Sequence, residues 1–277
     1  MSLFDAFRFD GKRVLVVGGA TGMGAAAAEV AVDAGAEVIV MDYADVTLDG
    51  VTAIKVNLAD RDSIDAALAE LGAGQVHAHL ACAGVADGTP GLERINYVGH
   101  RYMIEQMLAS GTLSRGSAIG FISSAAGLGW ESNLDKIKEV LAISDWDEGV
   151  AWCQENGYAD YFHTKQIICA YVASQAHPLI KQGIRINAIC PGPTETPLAK
   201  ANEEMWLGFG ADWRAEVGID ASTPLEQAYP LLFLCSDAAQ AINGITLITD
   251  EGYMMTGLTG GYESAIGAAQ FLMGRLS

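Results

Sequence analysis

Three side chains of this sequence have the types and spacing needed to move a proton to and from a substrate oxygen. Tyr161 and Lys165 stand four apart, which on a helix puts a phenol and an ammonium on one face. A free phenol, with a pKa of about 10, is a poor base at neutral pH. Bringing it near 7 takes roughly three pKa units, or about 4 kcal/mol of preference for the phenolate, and a neighbouring cation supplies part of that. Ser124 closes an apolar, strand-like run, and a hydroxyl there can hold the same oxygen while the phenol trades its proton. Tyr158, seven before Lys165, offers a second phenol.

The elements that must position these groups start at residues 13–17, a short apolar run that reads as a strand buried on both faces. Gly18, Gly22 and Gly24 follow, then an alanine run that opens a helix. Strand, glycine turn and helix N-terminus together let backbone N–H groups approach a pyrophosphate. A second strand, 36–42, ends in Asp42, near the position about 20 residues on where a carboxylate receives the adenosine ribose hydroxyls of a dinucleotide. That carboxylate repels a 2′-phosphate, and no Lys or Arg lies between Val14 and Asp42 to hold one. The expected cofactor is NAD rather than NADP.

Further strands are expected at 51–57, 76–82, 117–123, 184–190 and 245–249. Helices are expected at 61–71, 92–109, in two pieces within 134–156, at 159–176 with a halt near Pro178, and from about 223 to 235. A mobile loop is expected over 198–221. This alternation predicts an α/β fold, a Rossmann-type doubly wound parallel sheet of about seven strands in a single domain, 1–277. Ligands of such sheets sit beyond the carboxyl ends of the strands, which aligns Gly18, Asp42, Asn57, Gly84, Ser124 and Gly192 on one rim.

Composition narrows the partners. A net charge of −18 argues against nucleic acid or an anionic membrane. No run is long and apolar enough to span a bilayer, and residues 1–12 lack the regions of a signal peptide. The five cysteines, Cys82, Cys153, Cys169, Cys190 and Cys235, are scattered, which fits a reduced, cytoplasmic setting. His77 and His79 alternate along one strand without a third ligand nearby, so no metal site is expected.

With these motifs in hand, the chain resembles the short-chain dehydrogenase/reductase family over nearly its full length. The resemblance rests on Gly18-x-x-x-Gly22-x-Gly24, Asp42, Ala83-Gly84, Asn96-Tyr-Val-Gly99, Ser124, Tyr161-x-x-x-Lys165 and Pro191-Gly192-x-x-x-Thr196. It implies that Tyr161 is the general acid/base and that Ser124 positions the carbonyl or hydroxyl oxygen. Lys165 would hold the nicotinamide ribose and lower the tyrosine pKa, and Asn96 would help hold a water linking Lys165 to solvent. It places NAD against Gly18, Thr21, Gly22, Met23, Gly24, Asp42, Asn57, Leu58, Ala83, Gly84, Pro191, Gly192, Thr194 and Thr196, with Tyr161 and Lys165. The implied activity is NAD-dependent interconversion of a secondary alcohol and a ketone by a homodimer or homotetramer.

Several positions depart from the family pattern. Val17 stands where Thr is usual and Asn57 where Asp is usual. Ala81-Cys82-Ala83-Gly84 replaces the usual Asn-Asn-Ala-Gly, so a bond that steadies the loop after the fourth strand is missing or replaced. The link between Ser124 and Tyr161 is much longer than usual. Its extra segment, 128–157, carries Leu134, Ile137, Val140 and Leu141 at helical spacing, a cap at Ser144, and Trp130, Trp146 and Trp152. It reads either as a helical hairpin covering a surface or interface, or as a substrate lid with an apolar roof. Such an insertion resembles the bacterial 3α-hydroxysteroid dehydrogenase/carbonyl reductase group, and a cyclic, terpenoid or steroid-like substrate is expected against Ser124, Trp130, Met205 and Trp206. The tail, 254–277, is expected to be buried on a neighbouring subunit or over the substrate loop. Two rival functions stay open: an enoyl-thioester reductase using Tyr158, and a catalytically idle NAD sensor or scaffold.

Overall fold

The computed structural model describes residues 2–274. Seven strands, β1 (Arg13–Val17), β2 (Glu37–Asp42), β3 (Val51–Lys55), β4 (Ala78–Ala81), β5 (Ala118–Ile122), β6 (Arg185–Pro191) and β7 (Thr246–Thr249), form one sheet in the order 3-2-1-4-5-6-7. Every pairing is parallel. The order reverses at β1, which pairs with β2 on one side and β4 on the other, and a ligand crevice opens at such a reversal.

Helices connect and cover the strands: α1 (Gly22–Asp33), α2 (Arg61–Leu71), α3 (Gly99–Ala109), α4 (Leu134–Leu141), α5 (Trp146–Glu155) and α6 (Tyr161–Lys181) in the first two-thirds. Beyond them come α7 (Pro197–Lys200), α8 (Glu203–Trp206), α9 (Ala211–Val217), α10 (Pro224–Cys235), α11 (Tyr253–Leu258) and α12 (Glu263–Met273). The central strands are apolar on both faces because both are covered. On one face Leu15, Ile39, Ile119 and Phe121 meet Ile64 of α2, Met103 of α3 and Ile167 of α6. On the other, Val14, Val16, Val38 and Val40 meet Ala27 and Ala31 of α1 and Leu231 of α10.

The departures from expectation lie mostly at ends. The stretch expected as one helix over 92–109 enters through a π-helical turn, Arg94–Val98, before α3. The helix expected to halt near Pro178 continues to Lys181. Burial of Leu179, with closing bonds from Gln182 N–H to the Leu179 carbonyl and Gly183 N–H to that of Ile180, offsets the backbone bond a proline cannot give. The expected mobile loop, 198–221, winds into α7, α8 and α9. Asp145, not Ser144, caps α5, accepting from the N–H groups of Asp147 and Glu148.

The insertion covers a helix face. Ile137, Val140, Trp146, Val150 and Cys153 merge with the core beneath α3 and α6, Arg101 donates to the Val140 carbonyl, and Trp146 meets Tyr102 edge-on. Trp146 therefore faces α3 and not the rim. The tail folds back as α11 and α12, with Leu272 and Met273 buried against Ala125, Leu128 and Trp213. Phe271 is 75% exposed, beside Phe162. Residues 275–277 of the expected tail lie outside the described residues.

Candidate active site

Ser124 follows β5 and caps a single 3-10 turn, its Oγ accepting from Ala126 N–H at 3.2 Å. That leaves its proton free for an acceptor on the side of Tyr161, whose phenol pKa the Ser124 hydroxyl lowers. Tyr161 opens α6. Asp160 caps that helix by accepting from His163 N–H, and Asp87 accepts the Tyr161 N–H at 2.7 Å. Lys165, one turn on, is buried, with Nζ donating to the Ile122 carbonyl at 2.9 Å and lying 5.5 Å from the Tyr161 ring centre.

Burial dominates the charges here. It pushes the Tyr161 phenol up to about 12 against the Ser124 hydroxyl that lowers it, and it lowers the Lys165 ammonium to about 8. The lowered phenol expected from sequence is absent: burial of the phenol itself is the largest influence, and the nearby Asp87 and Cys190 raise it further. Asn96, in the π-helical turn, is fully enclosed. Its Oδ1 accepts from Val85 N–H at 2.8 Å, and its Nδ2 donates to the Val85 carbonyl and Thr164 Oγ1.

Beside this cluster runs a groove of about 560 Å³ at the β1/β4 reversal. Of the residues assigned to the cofactor, Gly18, Thr21, Gly22, Met23, Gly24, Asp42, Asn57, Leu58, Ala83, Gly84 and Thr196 line it. Pro191, Gly192, Thr194, Tyr161 and Lys165 stand outside its lining. The walls leave no room for side chains: a Cβ on Gly18, where φ is +87°, would sit 2.4 Å from Ala83, and one on Gly24 would sit 2.0 Å from the Gly18 carbonyl. Asp42 braces the turn, with Oδ2 accepting from Ala20 N–H and Oδ1 from Ala44 N–H, both at 2.8 Å. A cleft of this size, with a glycine cradle, a helix N-terminus and a strand-end carboxylate, fits a dinucleotide.

Of the four side chains expected against the substrate, Ser124 and Trp206 stand beside Tyr161. The Trp206 ring lies 4.7 Å from that of Tyr161, centre to centre. Met205, its neighbour on the four-residue α8, turns outward and is 76% exposed. Trp130 packs against both the core beneath α3 and α6 and the tail core.

The comparisons with known proteins agree with this geometry. Residues 18–254 match the family profile described as enoyl-(acyl carrier protein) reductase. Coniferyl-alcohol dehydrogenase of Pseudomonas sp. is 29% identical over 260 residues, covering 88% of this chain and 97% of that protein. Cis-4-hydroxycyclohexanecarboxylate dehydrogenase of Sinomonas cyclohexanicum is 31% identical over 262 residues, covering 87% and 96%. The chain belongs to the short-chain dehydrogenase/reductase family. Its fold matches the 3-alpha-hydroxysteroid dehydrogenase of Pseudomonas sp. B-0831 complexed with NADH, with a TM-score of 0.72 at 24% identity over 90% of this chain and 99% of that one.

In this short-chain dehydrogenase/reductase the rival phenol stands apart from the serine. Tyr158 packs against Trp152 and His163, at 5.1 and 4.3 Å between ring centres, within the insertion core. The sequence reading missed Tyr43, Val85, Pro90 and Leu198, which line the groove, and Asp87, which ties the loop after β4 to the start of α6. Adjacency to Asp42 and Gly84 is the signal that points to Tyr43 and Val85. For Asp87 the sequence carries none.

Proposed function

We propose that the chain is an NAD-dependent alcohol dehydrogenase and carbonyl reductase acting on a secondary alcohol of a cyclic, apolar molecule. The observation that carries this is the buried Lys165 ammonium, 5.5 Å from the Tyr161 ring centre and next to Gly84 of the glycine-walled groove, with the Ser124 hydroxyl acting on the same phenol. NAD, held by the groove residues and by Tyr161, Lys165 and the Pro191–Thr196 segment, would supply the hydride acceptor when bound. Ser124 donates to the substrate oxygen and fixes its place. Tyr161 takes the hydroxyl proton in oxidation and returns it in reduction. Lys165 adds positive charge beside the phenol and favours its ionised form. Asn96 fixes Val85 and Thr164 around that charge.

Asp42 supports NAD over NADP, since its carboxylate lies in the groove wall and repels a 2′-phosphate. Trp206 over Tyr161 supports a flat or cyclic substrate, as do the ring-bearing alcohols in the names of the two relatives. The reading includes a single domain, a homodimer or homotetramer, and a cytoplasmic location. The family profile's description favours enoyl-thioester reduction as a second reading, but Tyr158 lies in the insertion core without Ser124.

The test follows formation of reduced nicotinamide with cyclic secondary alcohols, terpenols and hydroxysteroids in the wild type, Tyr161→Phe and Tyr158→Phe. Turnover lost in Tyr161→Phe and kept in Tyr158→Phe is expected. Reduction of an enoyl thioester that depends on Tyr158 would overturn the assignment, and NADH binding without turnover of any alcohol or thioester would point to an idle sensor.

A further inference from the structure

The strip Ala83-Gly84-Val85, between the cofactor turn and Lys165, has almost no freedom to move. On one side, Ala83 abuts Gly18 so closely that a Cβ on that glycine would sit 2.4 Å from its backbone. On the other, a Cβ on Gly84 would sit 3.3 Å from Lys165 Nζ and 3.5 Å from Asn96 Oδ1. A small shift of this strip changes the groove wall and the space above the ammonium together. The side chains of Ala81 and Cys82, just before it, offer no amide to hold it in place.

Two residues four apart on one helical face hold the strip instead. Asn96 clamps Val85 through both N–H and carbonyl, and His100 Nε2 lies 3.0 Å from the Ala83 carbonyl oxygen. A carbonyl only accepts, so His100 carries its proton on Nε2. The ring is enclosed and sits edge-on to Phe121 at 5.8 Å. Gly99 lets this helix in close: a Cβ there would meet the Leu58 carbonyl at 2.3 Å.

We infer that His100 is a positioning residue for dinucleotide binding, acting through the bond from its Nε2–H to the Ala83 carbonyl. It touches neither cofactor nor substrate and fixes the strip that both face. The inference rests on the NAD site proposed above.

Binding of NADH and the KM for NAD are measured in the wild type, His100→Gln and His100→Met. Gln can place an amide N–H where Nε2 stands, whereas Met fills a similar volume without a donor. Met is expected to raise Kd and the KM for NAD by about three- to tenfold, the span of one neutral hydrogen bond, with kcat at saturating NAD little changed and Gln restoring most of the loss. Equal binding by Gln and Met overturns the role of the bond. Absence of NADH binding in the wild type overturns instead the cofactor reading on which it rests. Nitrogen NMR of the wild type, labelled at histidine, tests the bond without a variant: Nε2 protonated and Nδ1 bare is expected, and the opposite tautomer overturns the inference.

Discussion

His79 in β4 and His100 in α3 are both enclosed, and burial holds their imidazoles neutral down to about 3 and about 4 respectively. The unfolded chain takes up these protons near pH 6.5, well before the folded chain does. Between those values the unfolded state binds more protons, so stability falls as pH drops, by about 1.4 kcal/mol per pH unit for each ring. A lower denaturant midpoint at pH 5 than at pH 7 is expected, with a shallower dependence in His79→Met. An unchanged pH dependence in that variant would exclude His79 from the effect. The enclosure of these two rings was not legible in the sequence. Ser124, Tyr161 and Lys165 were, because a strand end and one helical turn place them by local spacing. Met205 and Trp206 are neighbours of similar apolar character, and only the seating of a four-residue helix decides which ring meets Tyr161.

At the scale of elements, the insertion and the tail make separable predictions. Trp146 is nearly enclosed among Tyr102 and the core below α3, so Trp146→Ala is expected to cost about 3–5 kcal/mol in denaturant unfolding. The KM for alcohol should stay unchanged, since the ring faces away from the rim, and a raised KM with intact stability would restore the lid reading. Gly129 has a φ of +70°, and a Cβ there would meet the Leu272 carbonyl at 2.4 Å. Gly129→Ala should therefore push α12 off its seat and lower both kcat and thermal stability, read by turnover and melting temperature. The strands were legible from their apolar, β-branched runs, and their ends less so. Cys82 N–H and Ala83 N–H both bond to the Val17 carbonyl, a sharing that stops β4 short of its apolar run. The winding of 198–221 escaped notice because its helices, four, four and seven residues long, complete at most two turns, too few to show an apolar period.

Across the whole molecule, 34 acidic residues stand against 16 basic ones. Like charges over one surface repel, and added salt screens them. Raising sodium chloride from low to about 0.5 M, where screening is nearly complete within a few ångströms, should raise the melting temperature. A fall would mean that ion pairs such as Lys12–Asp237 outweigh the repulsion. The sheet order follows from strand–helix alternation and was legible. The pairing of the tail with the turn after Ser124 was not, since no local pattern links Leu272 to Ala125.

That pairing also carries a consequence for synthesis. Residues on its two sides stand about 145 positions apart, so the contact is among the late ones to form. A ribosome still making α12 holds a chain whose seven strands have all been translated while the turn behind Ser124 lacks its backing. A chain stopped after β7 is therefore expected to lack turnover that the full chain has, as assay of a truncation after Thr249 would show.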